Sequence, residues 1–96
     1  MSPNNKNKLN IIRVKLDKLD NKLLSLIKYR TSLVKEVLKL KEFKKEIVDK
    51  KRIDFILNKI NKKSIKLKID PKITNRIWKN MIWSYIDYER RNFKKK

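Results

Sequence analysis

The chain has 96 residues, enough for one small domain, and carries 29 Lys plus Arg against 10 Asp plus Glu, a formal charge of +19. It contains no Cys, His or Gly, which excludes a disulfide framework, a thiol nucleophile, a Cys/His zinc site, a histidine base and every glycine-rich phosphate loop. No apolar run approaches the roughly 18 residues of a membrane span and no secretory core stands near the N-terminus, so a cytoplasmic location and no membrane partner are expected.

The chain reads as all-helical, because two-residue alternation is nowhere sustained and no glycine turn occurs. Residues 1–8 form a polar, frayed start around Pro3. From Leu9 a long helix is expected, with apolar residues at Leu9, Ile12, Leu16, Leu19, Leu23, Leu26, Leu33, Val37 and Leu40. These steps of three and four are the seam of a helix that packs lengthwise on another. Nothing breaks the pattern before about Phe43, which predicts a helix roughly 50 Å long. The remaining chain is too short to cover that seam, so an intertwined homodimer is expected. A turn falls within 44–48. Asp49 then caps a second helix with the stripe Ile53, Ile56, Leu57 and Ile60, fraying near 66–69. Asp70 followed by Pro71 starts the third helix, which runs to about Phe93 with the stripe Ile73, Ile77, Met81, Ile82, Tyr85, Ile86 and Phe93. Residues 9–93 thus read as one helical domain, and Lys94 to Lys96 as a basic tail.

The charge invites a nucleic-acid reading. A second count weakens it. Lys, Ile and Asn number 23, 13 and 10, while Ala and Gly are absent. The first three have A/T-rich codons and the last two G/C-rich ones, so base bias expressed on solvated faces accounts for much of the excess. The lysines are also spread along the chain, and no nucleic-acid partner is expected.

A few polar residues stand where the pattern wants apolar ones. Arg30 lies seven residues after Leu23 and seven before Val37, in a seam slot. An unpaired buried Arg is expensive, so either a carboxylate or an anionic ligand must meet it. Lys41 lies eleven residues on, about three turns, and points within roughly 20° of Arg30 with its Cα about 16 Å away. Two long side chains at that spacing can converge on one small dianion. Arg13 is about 25 Å from Arg30 along the same helix, but in an antiparallel pair it could reach a site on the partner. Arg52 lies one turn into the second helix beside Asp49. Tyr85 and Glu89 share a face of the third helix at i, i+4; on residue type alone, Tyr85 reads as a core aromatic and Glu89 as a surface pair with Arg90 or a nearby Lys.

Taken in order, these positions resemble the all-helical class of chorismate mutase. The pattern there is an Arg, an Ile/Leu-Asp pair, two Leu and a second Arg; here it reads Arg13, Leu19-Asp20, Leu23-Leu24, Arg30. Leu33, Glu36-Val37 and Lys41 follow, then Asp49, Arg52, Asp70-Pro71, Met81-Ile82, Tyr85 and Glu89. The resemblance covers about residues 9–93. It implies a three-helix protomer, an intertwined dimer, and two sites that each borrow an Arg from the partner. It also implies rearrangement of chorismate to prephenate, a [3,3] pericyclic step in Phe/Tyr biosynthesis that needs no cofactor, metal or nucleophile. By position, Arg30 and the partner copy's Arg13 would bind the substrate carboxylates, Arg52 would add a charge contact, Lys41 would hydrogen-bond the ether oxygen, and Asp49 would face the substrate hydroxyl.

Two positions depart from that pattern: Ile53, where a Glu is common, and Tyr85, where a Ser is common. Isochorismate-pyruvate lyases share the fold and depart at the same positions, which makes them the nearest alternative; a basic helical nucleic-acid binder is the alternative from another class. Glu89 stands where Gln is frequent. A Glu can donate to an ether oxygen only when protonated, so that role requires activity to rise towards acid pH.

Overall fold

The computed structural model describes residues 1–95; Lys96, the last residue of the expected basic tail, lies outside the described residues. Among them are three α-helices, α1 (Pro3–Leu40), α2 (Lys50–Lys66) and α3 (Pro71–Asn92), a 3-10 turn at Lys44–Glu46, and no strand. The chain divides into two units within α1, residues 1–33 and 34–96.

The first unit is the long part of α1. It starts at Pro3, earlier than the frayed start expected for residues 1–8. Ser2 explains the gain: its hydroxyl accepts from the backbone N–H of Asn5 at 3.2 Å, its carbonyl from Lys6 at 2.8 Å, and Pro3 takes the position where no N–H is needed. α1 buries no residue at all. The seam side chains Ile12, Leu16, Leu19, Leu23 and Leu26 stay 48–63% exposed. An apolar stripe of that length left open to water is unusual on a chain that acts alone.

The second unit holds the core. Ile47, Ile82 and Ile86 are buried, with Ile53, Ile56, Leu57 and Phe93 packed against them. α2 and α3 form an antiparallel-type hairpin of helices joined by a short link, and each start carries the expected cap. Asp49 accepts from the N–H of Arg52 at 3.0 Å, and Asp70 from that of Lys72 at 2.9 Å with Pro71 following. α1 ends at Leu40, before Phe43, where the N–H of Lys41 turns to the carbonyl of Leu38. The 3-10 turn that follows drops Ile47 into the core at 3% exposure.

The α2–α3 link has two features of its own. Ser64, near the end of α2, and Thr74, in the first turn of α3, are both buried and share a hydroxyl hydrogen bond of 2.7 Å. Ser64 also bonds the Ile60 carbonyl, so both hydroxyls are satisfied where water is absent. α2 closes in a Schellman motif: Ile69 N–H donates to the Ser64 carbonyl and Lys68 N–H to that of Ile65. The left-handed position of this motif is held by Lys68, at φ 59°, in a chain that has no glycine to place there. Lys68→Gly is expected to raise stability by about 1 kcal/mol, read as a higher urea midpoint with an unchanged slope. A midpoint that stays or falls would contradict this strain.

Candidate active site

α3 sets the centre of the site. Its Asp70–Pro71 start fixes the phase of the helix, and Ile82, Ile86 and Glu89 then fall on one face at the spacings i, i+4, i+7. Glu89 therefore occupies a core position and is only 5% exposed. A carboxylate there needs a partner. Lys41 supplies it from the residue just past α1: its Nζ donates to Glu89 Oε1 at 3.0 Å, and the two side chains are 17% and 7% exposed. The contact closes across 48 residues of sequence. It places an ammonium beside the core on a rigid carboxylate anchor.

Three more of the expected residues lie in the same unit. Tyr85 is half-buried one turn before Glu89. Asp49 is exposed, and one of its oxygens is taken by the α2 cap. Arg52, also exposed, holds its guanidinium 5.5 Å from the Phe55 ring centroid. That is a cation–π contact which steers the side chain along the start of α2. Ile53, one of the two departures, packs on the Ile47–Ile82–Ile86 core and offers no polar group. In the first unit, Arg13 is exposed and Arg30 half-buried, both on α1. The structure thus joins Lys41 to Glu89 directly and Asp49 to Arg52 through the cap.

Sequence reasoning passed over Ile47 and the Ser64–Thr74 pair, which hold this unit together. Ile47 lies in a connection, where no periodicity marks a residue as buried. Ser64 and Thr74 are polar, and only their contact with each other reveals why burial is tolerated.

The family model described as chorismate mutase type II matches residues 12–90. The chain belongs to the type II chorismate mutase family. The match takes in every expected site residue from Arg13 to Glu89. No curated protein and no solved structure gives a match. Like the three helices themselves, the family assignment agrees with the ordered pattern of Arg, Lys and Asp along the chain. Among the described residues no helix is long and apolar enough to cross a membrane.

Proposed function

We propose that this chain is a chorismate mutase that converts chorismate to prephenate in the aromatic amino acid pathway, working as a homodimer in the cytoplasm. The observation that carries the reading is the enclosed Lys41–Glu89 pair in a member of the type II family. In the reaction one ether C–O bond breaks as one C–C bond forms, within a single cycle of six atoms. No atom enters or leaves. The protein has only to hold the compact conformer and meet the negative charge that develops on the ether oxygen.

Lys41 is the donor for that oxygen. Glu89 holds the ammonium in place. Arg30 and the Arg13 of a second copy take the two carboxylates, for which a planar guanidinium fork is well suited. Arg52 adds positive potential, and Asp49 and Tyr85 bound the hydroxyl side. The exposed α1 seam supports the second copy, since it is the surface that a partner's α1 would cover.

The test is chorismate disappearance in the wild type and in Glu89→Gln. The amide keeps an acceptor for the Lys41 ammonium and adds an N–H donor for the ether oxygen, so kcat/KM at neutral pH is expected to be held or raised. A wild type that leaves chorismate unconverted would overturn the reading. A specific feature favours a second reading, isochorismate-pyruvate lyase: Ile53 sits in the core and leaves no polar group where the ring hydroxyl is commonly met. Pyruvate and salicylate released from isochorismate, with chorismate untouched, would establish it.

A further inference from the structure

The second unit holds a hollow of about 380 Å³ that neither Lys41 nor Glu89 lines. It lies between the last turns of α1 and α3, and the segment after α3 forms its third side. The tail is placed there for a physical reason. The last carbonyls of a helix have no partner within it, and Lys95 Nζ donates to one of them, that of Lys39 at the end of α1.

Two chemistries meet in this hollow. Lys35 and Lys39 from α1, and Lys94 and Lys95 from the tail, are among its lining residues, and no carboxylate is. Leu38, Tyr88 and Phe93, all half-buried, give it an apolar wall. Four like charges gathered round one cavity repel one another, and an anion entering it relieves that repulsion. A bare inorganic ion would leave the apolar wall unused. A nucleic-acid strand needs an open track of phosphates and bases, and this is a concave site of single-ring size.

We propose that this hollow is a second ligand site, separate from the Lys41–Glu89 centre, which takes a small aromatic carboxylate. The ring lies on Leu38, Tyr88 and Phe93, and the carboxylate sits among the lysine ammonium groups. The lysines are exposed, so the attraction is screened, and affinity is in about the millimolar range and weakens with salt.

The probe is 3-phenylpropanoate, titrated against the full chain by NMR, with acetate and 3-phenylpropan-1-ol as the charge-only and ring-only controls. Saturable shifts at Tyr88 and Phe93 are expected from the first and not from the controls. Charge reversal at two exposed positions, Lys35→Glu with Lys39→Glu, is expected to weaken binding at least about tenfold at unchanged helicity. The single variant Lys39→Gln gives a smaller loss in the same direction, should the double variant lose helicity. Lys41→Met combined with Glu89→Leu, which empties the other centre of both charges, is expected to bind the probe as the wild type does. The proposal is overturned by no saturation up to about 50 mM, by equal binding in both lysine variants, or by acetate matching the probe. It is equally overturned by loss of binding, at unchanged helicity, in Lys41→Met with Glu89→Leu, which would put the ligand at the Lys41–Glu89 centre.

Discussion

Lys41→Ala is expected to lower kcat/KM on chorismate by about 10²- to 10³-fold, the loss typical of one donor aimed at developing oxyanion charge. It is also expected to destabilise the fold by about 3–5 kcal/mol, because it strands a carboxylate that is 5% exposed. The two effects have different origins and can be separated. In the double variant Lys41→Met with Glu89→Leu, both charges leave the site together and apolar side chains of similar length fill it. Replacing a buried pair in this way is commonly neutral or stabilising, so most of the lost stability should return. Activity should not, since the donor is still missing. Urea unfolding and chorismate consumption, measured on the same samples, give both readouts. An active double variant would show that Lys41 is a structural counter-ion and no more. An active Lys41→Ala of unchanged stability would remove the site.

The sequence makes some of this arrangement legible and hides the rest, and the division follows range. Caps are local: Asp49 and Asp70 bond N–H groups three and two residues on, so their roles can be read without knowing the fold. The α2 stripe is local as well, and Ile53, Ile56, Leu57 and Ile60 all end half-buried. The α3 stripe is only partly right. Ile82 and Ile86 reach the core, whereas Ile73 and Ile77 remain 56% and 52% exposed, because each stands nine residues before one of that pair, two and a half turns, on the opposite side of α3. No Pro or Gly marks the end of α1, which falls at Leu40 and not at the expected Phe43. What stops the helix at Leu40 is the burial of Ile47 seven residues further on, a tertiary event. The Lys41–Glu89 pair is the clearest case. Both residues stand out in the family pattern, yet residue spacing alone gives no reason for side chains 48 positions apart to touch. Burial of Glu89 follows from its register with Ile82 and Ile86, and the ion pair follows from that burial.

The sharing of sites between two copies has a sharper test than a mutant's loss of activity. If each site combines Arg30, Lys41 and Glu89 of one chain with Arg13 of the other, Arg13→Ala homodimers and Lys41→Ala homodimers are both inactive. Their mixture is not. Unfolded together in equal amounts and refolded, they form hybrids in about half of the dimers by random pairing. Each hybrid has one site in which the Arg13→Ala chain supplies an intact Lys41 and the Lys41→Ala chain supplies an intact Arg13. Its other site carries both defects. About a quarter of all sites are therefore whole, and activity should recover to about a quarter of wild type from two samples that have almost none. Within one chain, no mixing can restore a broken site, so a mixture as inactive as its parents would sink the shared-site reading. The exposed seam makes the same claim from the side of stability. Leu19→Glu and Leu23→Glu place charge on a stripe that is 52% and 48% exposed in one chain, so a chain that acts alone would tolerate them. If a second copy covers this stripe, each should dissociate the dimer and abolish chorismate turnover together. Sedimentation and the activity assay would then lose their signals in step, because in such a dimer the seam joining the copies would also carry Arg13 to the partner's site.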